Sequence, residues 1–128
     1  MPSDHPKSIA VDLDGVILTY DHWRGVHHFG DPMPGVVDAL NALMAKGYNV
    51  IINTVRTNTE ANRLPLGELV SILENGLKDK GIPYTSIWSK PGKPLASYYI
   101  DDKAIKFSSW DKALQDVAEK DAASHGNL

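Results

Sequence analysis

The stretch SIAVDLDGVI, Ser8 to Ile17, decides the fold. Ile9, Ala10 and Val11 make a short apolar run suited to a buried strand, and Gly15 breaks it. The run ends in two acids, Asp12 and Asp14, with one leucine between them. Residues i and i+2 of a strand point to the same side. A strand continuing through Leu13 would therefore set two carboxylates side by side. Such a pair needs water, a shared proton or a cation to compensate its repulsion.

Working outward, strands alternate with helices. After a long irregular piece, Gly15 to Gly35, the segment PGVVDALNALMAKGY places Val36, Val37, Leu40, Leu43 and Met44 at helical spacing, with Gly47 as its stop. Asn49 to Val55 is a second buried strand rich in β-branched residues. In the next segment Leu66, Leu69, Val70, Leu73 and Leu77 share a helix face, with Pro65 at its start and Gly81 at its end. Tyr84 to Trp88 reads as a third strand, PGKP as a turn, and ASYYI as a fourth strand leading into Asp101 and Asp102. A last helix begins at Ser108 or Ser109 and is expected to bury Trp110, Leu114, Val117 and Ala118. A loose tail is expected over 123–128.

This order predicts one α/β domain over 1–128, a three-layer Rossmann-like fold with a mostly parallel sheet and right-handed crossovers. Ligands of such sheets sit beyond the carboxyl ends of the strands. Polar residues gather there: Asp12 and Asp14 after the first strand, Thr54 and Arg56 at the exit of the second, Lys93 before the fourth, Asp101 and Asp102 after it. Four separate segments thus converge on one small volume.

Composition excludes several alternatives. A hydrophobic share of 42% and a charged share of 23% are those of an ordinary globular protein. The net charge of −3 gives no basic field for nucleic acid or membrane. With no cysteine there is no disulfide, thiolate nucleophile or thiolate metal ligand. No stretch approaches the ~20 apolar residues of a membrane span, and MPSDHPKS lacks the basic and apolar regions of a signal peptide. A cytoplasmic location is the expectation.

The chemistry that wants this constellation is phosphoryl transfer through an aspartyl-phosphate. A carboxylate attacking phosphorus splits a hard hydrolysis into two easier steps. A hard cation with oxygen ligands neutralises the meeting of two anions, and Mg²⁺ suits a site of few carboxylates and several waters. Asp12 and Asp101 supply such carboxylates. Asp14 is placed to protonate the leaving oxygen and then deprotonate water. Lys93 can hold phosphate and nucleophile as a point charge, and the Thr54 hydroxyl can bond a phosphoryl oxygen.

The motifs VDLDGV, VIINTVRT, GKP and YYIDDKAI, in that order, resemble the four motifs of the haloacid dehalogenase superfamily. The resemblance spans about Ile9 to Ile105. It implies Asp12 as nucleophile, Asp14 as general acid/base and backbone metal ligand, Thr54 and Lys93 as phosphate ligands, and Asp101 with Asp102 as metal acids. Mg²⁺ is the implied cofactor, and the metal set is Asp12, Asp14, Asp101 and Asp102. Val16 stands where relatives more often have Thr. Lys93 lies close before its strand, so Lys90 is the weaker candidate for its role.

No segment is long enough for a cap domain, and the only room for a flap is the loop 15–35. A capless site is open. By family analogy that suits a phosphorylated small molecule, a macromolecular phosphate end, or a partner chain that completes the site, a second copy included. In the flap, Trp23, His27 and Gly15 are assigned to substrate, together with Arg56, which can equally serve as a surface salt-bridge partner. Trp23 and Phe29 can stack on a base or a sugar or can only anchor the loop. The histidines at 22, 27 and 28 match no strong zinc spacing.

Phosphotransferase or mutase chemistry shares the first half-reaction and stays open. A receiver-type signalling phosphoacceptor would need an acid at the end of a mid-chain strand, where this chain has Thr54 and Trp88. A non-catalytic binding protein would not need the full set of acids.

Overall fold

The computed structural model describes residues 7–125. Four strands form one all-parallel sheet in the order β3-β2-β1-β4. They are β1 (Ser8–Val11), β2 (Asn49–Ile52), β3 (Ser86–Ile87) and β4 (Tyr98–Ile100). The helices are α1 (Val36–Ala45), a short α2 (Thr59–Asn62), α3 (Leu66–Asp79) and α4 (Trp110–His125), with a 3-10 turn over Val55–Thr57. The α/β architecture is the one the alternation predicts. None of the described helices is long and apolar enough to cross a membrane.

Register explains which residues meet. Val11 pairs with Ile52 on one side and Ile100 on the other, and Ile52 pairs with Ile87. Ile9, Val11, Val50 and Ile52 share one face of the sheet, since alternate residues point the same way. That face packs with Leu40 of α1 and with Leu73 and Leu77 of α3, all buried. Truncating such a leucine to alanine typically costs ~2–5 kcal/mol. The opposite face, with Ala10, Ile51 and Tyr99, is covered differently. No helix joins β3 to β4. The irregular connection passes Tyr99 instead: the Tyr99 hydroxyl donates to the carbonyl of the buried Pro94 at 2.6 Å.

The last helix departs from expectation. It begins where predicted, with the Lys112 amide donating to Ser109 Oγ, but its apolar stripe is open. Trp110 is 74% exposed, Leu114 67% and Val117 47%. Trp110 meets only the edge of Phe107 among the described aromatic rings. Helical periodicity identifies an apolar face but does not say what covers it. The helix also runs to His125, into the segment expected to be loose, while residues 126–128 lie outside the described residues.

The strand order fixes where a site can form. From β1 the chain steps outward to β2 and β3, then returns to place β4 on the other side of β1. The direction of winding reverses between β1 and β4, and in such sheets the crevice at that reversal takes ligands. Asp12 follows β1 and Asp101 follows β4. The Asp12 amide donates to the Ile100 carbonyl at 3.0 Å, holding the two strand exits together.

Candidate active site

The chain turns sharply after β1. The amides of Ile17 and Leu18 both donate to the Leu13 carbonyl, and the Gly15 amide donates to that of Leu18. Leu13, Ile17 and Leu18 are fully buried beneath this turn. Strand alternation therefore stops before Leu13, and the two acids part company. Each finds its own compensation.

Asp12 joins Asp101 and Asp102. One carboxylate oxygen from each lies within 4.8 Å of the others. Asp12 Oδ1 also accepts the Leu13 amide at 2.8 Å. Burial raises the Asp12 carboxyl above the usual carboxylate range; the Leu13 hydrogen bond opposes this, and the charges of Asp101, Asp102 and Asp14 add to it. Three hard oxygen donors this close together fit a divalent cation such as Mg²⁺. Asp101 Oδ1 accepts the Lys103 amide, which fixes its turn. Gly15 makes room for Asp102: it holds φ at +90°, and a Cβ there would come within 2.7 Å of Asp102 Oδ2. Gly15 thus shapes the acidic cluster, and any contact with substrate would be through its backbone.

Asp14 stands outside this side-chain cluster. Its carboxylate is gripped by Arg56, with Nε on Oδ2 at 2.8 Å and Nη2 on Oδ1 at 2.9 Å. The guanidinium also donates to the carbonyls of Val26 and His28 at 3.2 and 2.7 Å. Its Cζ lies over two rings, 4.4 Å from the Phe29 centroid and 5.0 Å from that of Trp23. Arg56 is 4% exposed. Neither of its sequence-based assignments describes this placement. It is no surface partner, and its donors are spent on Asp14 and on the loop instead of on the open cleft. A bidentate, stacked role is one lysine cannot fill.

Thr54 lies two residues beyond β2 and caps the 3-10 turn. Its Oγ1 accepts the Arg56 amide at 3.3 Å, so one residue both faces the cleft and sets the path of Arg56. The cleft measures about 840 Å³ and is lined by Asp12, Asp14, Thr54, Asp101 and Asp102 at one end. Tyr20, Trp23 and Trp88 line it farther along. Lys90 lines it as well. Lys93 does not; its ammonium sits 4.7 Å from the Tyr99 ring centroid. His27 is exposed and also lies away from the cleft lining.

The loop's two aromatics therefore separate. Phe29 is half-buried and packs on Gly76 of α3, where any side chain would collide with its ring. Trp23 remains 45% exposed in the cleft. The residues that sequence reasoning passed over are Tyr20, Trp88 and Gly76. Only Gly76 carried a signal: a glycine inside an apolar-periodic helix costs about 1 kcal/mol and marks a close approach.

No family model matches the chain, and no curated protein does. Solved structures share its fold. A conserved protein from Bacteroides thetaiotaomicron aligns over 91% of this chain and 93% of its own, at 22% identity and a TM-score of 0.55. A protein from Vibrio cholerae aligns over 85% of this chain and 94% of its own, at 24% identity and a TM-score of 0.53. A D,D-heptose 1,7-bisphosphate phosphatase from B. bronchiseptica, solved with magnesium and phosphate, aligns over 89% of this chain and 63% of its own. Its identity is 19% and its TM-score 0.42, a likeness too weak to carry chemistry across. This chain has the α/β fold of the Bacteroides and Vibrio proteins, with four convergent carboxylates at the crevice where its sheet reverses direction.

Proposed function

We propose that this chain is a capless member of the haloacid dehalogenase superfamily that hydrolyses phosphate monoesters with Mg²⁺ through an aspartyl-phosphate on Asp12. The observation that carries the reading is the meeting of Asp12, Asp101 and Asp102 within 4.8 Å at the sheet's switch point. Alongside them, Thr54 offers a hydroxyl and Asp14 a second, separately held acid.

Mg²⁺ held by Asp12, Asp101 and Asp102 would supply charge neutralisation for the approach of a phosphate dianion. Asp12 attacks phosphorus with a carboxylate oxygen, and the bond to the leaving oxygen breaks. Asp14 enters this step protonated on a lone pair that Arg56 leaves free and donates that proton to the leaving oxygen. It then removes a proton from water, which hydrolyses the acyl phosphate and restores Asp12. Arg56 positions Asp14 for both transfers. Each Asp14 oxygen accepts one Arg56 N–H and keeps a second lone pair, and the residue lines the cleft. Thr54 Oγ and the Lys90 ammonium are the cleft's candidates for the phosphoryl oxygens, with Lys93 the family-based alternative.

A panel of phosphate esters assayed with and without Mg²⁺ tests the reading. Turnover is expected with Mg²⁺, abolished by EDTA, and absent in Asp12→Asn. Full activity in chelator, or in Asp12→Asn, would overturn it.

A further inference from the structure

We infer that the cleft selects nucleoside monophosphates, by stacking the base on the open face of Trp23; this rests on the phosphatase reading and names its substrate class.

The inference comes from a run of contacts that reaches the cleft. Gly76 admits the Phe29 ring against α3. Arg56 lies on Phe29 at 4.4 Å, and Trp23 lies over Arg56 at 5.0 Å. Arg56 is fixed by four hydrogen bonds. The Trp23 ring is thus supported by a buried planar cation while the residue stays 45% exposed and lines the cleft. Held this way, the indole offers its remaining exposed surface to the cleft it lines.

The position matters as much as the ring. The guanidinium under Trp23 is the one that holds Asp14. A ring on Trp23 therefore belongs to the leaving group, on the side where Asp14 delivers a proton. A sugar can also stack on the indole, but the planar base of a nucleoside covers more of it. The cleft volume of about 840 Å³ exceeds what a phosphate group fills and falls within the range of small-ligand sites. Asn53, Asn58 and Thr59 add amide and hydroxyl groups to its lining, suited to base edges and ribose hydroxyls. The net charge of −3 favours a mononucleotide over a polynucleotide end, which needs a basic track for its further phosphates.

The test gives the wild-type protein, with Mg²⁺, adenosine monophosphate, uridine monophosphate, phosphotyrosine and ribose 5-phosphate. The expected kcat/KM is roughly tenfold or more higher for the nucleotides than for ribose 5-phosphate, the usual scale of one base–aromatic stack. Trp23→Ala should collapse that ratio toward one, and Trp23→Phe should keep most of it. Equal rates for ribose 5-phosphate and the nucleotides, or an unchanged ratio in Trp23→Ala, would overturn the inference. Phosphotyrosine preferred over both nucleotides would overturn the nucleoside assignment. Failure to hydrolyse any ester would instead sink the phosphatase reading. Tryptophan fluorescence titrated with adenosine monophosphate then decides the stack separately: saturable quenching lost in Trp23→Ala supports it, and no saturable binding overturns it.

Discussion

Replacing Arg56 with alanine should be among the most damaging single changes in this chain. The side chain is 4% exposed and its Asp14 partner 15% exposed. Removing it strips both Asp14 oxygens of their N–H donors and leaves the Val26 and His28 carbonyls without theirs. It also removes the cation that lies over the Phe29 and Trp23 rings. Breaking one side of a buried ion pair costs ~3–5 kcal/mol. Because water can reach Asp14 from the cleft, the lower end, about 3 kcal/mol, is the appropriate figure. At roughly 4 °C per kcal/mol for a domain of this size, the midpoint should fall by about 12 °C. Scanning calorimetry of wild type, Arg56→Ala and Arg56→Lys measures it. Lysine keeps the charge but loses the fork, so its loss should be intermediate. Adding Asp14→Ala to form a double-mutant cycle should return a coupling of about 1–3 kcal/mol. A midpoint for Arg56→Ala within about 2 °C of wild type would refute the clamp.

Three further outcomes follow from the same geometry. Asp12 has a folded-state pKa raised above 3.8, so the folded protein binds its proton more tightly than the unfolded chain does, and stability falls as pH rises through that window; Asp12→Asn should therefore raise the metal-free melting temperature at neutral pH by a few degrees while abolishing turnover, and calorimetry with a rate assay checks both. Gly15→Ala combines a strained φ of +90° with a Cβ 2.7 Å from Asp102 Oδ2, so the Mg²⁺ concentration for half-maximal activity should rise roughly tenfold, and unchanged Mg²⁺ dependence would show that Asp102 tolerates displacement. Lys90→Ala should raise KM for phosphate esters more than Lys93→Ala does, since Lys90 lines the cleft and Lys93 does not; the reverse order would return the phosphate role to Lys93.

The sheet was legible because its strands are short apolar runs punctuated by glycine and acid, and because parallel order follows from strand–helix alternation. The convergence of Asp12, Thr54, Asp101 and Asp102 was legible for the same reason: each lies within two residues of a strand's carboxyl end. Asp14 was legible as a second acid, yet the idea that it repels Asp12 across one strand face was not the outcome. The turn at Leu13 takes it to Arg56, a partner 42 residues away. Long-range pairings of that kind depend on how a loop folds back, and no local period encodes them. The flap shows the same limit. Trp23 and Phe29 look alike in sequence, and only the packing of Phe29 against Gly76 tells the anchor from the open ring. The exposed stripe of α4 marks the converse case, a face read from the sequence without the surface it was expected to meet.

The central claim is that Asp12 is the nucleophile that takes up the phosphoryl group in a covalent step. The direct measurement is to mix the protein with Mg²⁺ and an excess of adenosine monophosphate, quench in acid within the first turnovers, and map phosphate by peptide mass spectrometry. Asp14→Asn should slow both half-reactions, because proton transfer typically contributes ~10²–10⁴-fold to each; when the measurement is repeated with an aryl phosphate, whose leaving oxygen needs little protonation, the substitution should slow hydrolysis of the intermediate more than its formation and so increase the trapped fraction. The account predicts phosphate on the peptide carrying Asp12, more of it in Asp14→Asn with the aryl phosphate, and none in Asp12→Asn. Steady release of phosphate with no label on that peptide in either protein, and undiminished release by Asp12→Asn, would contradict it.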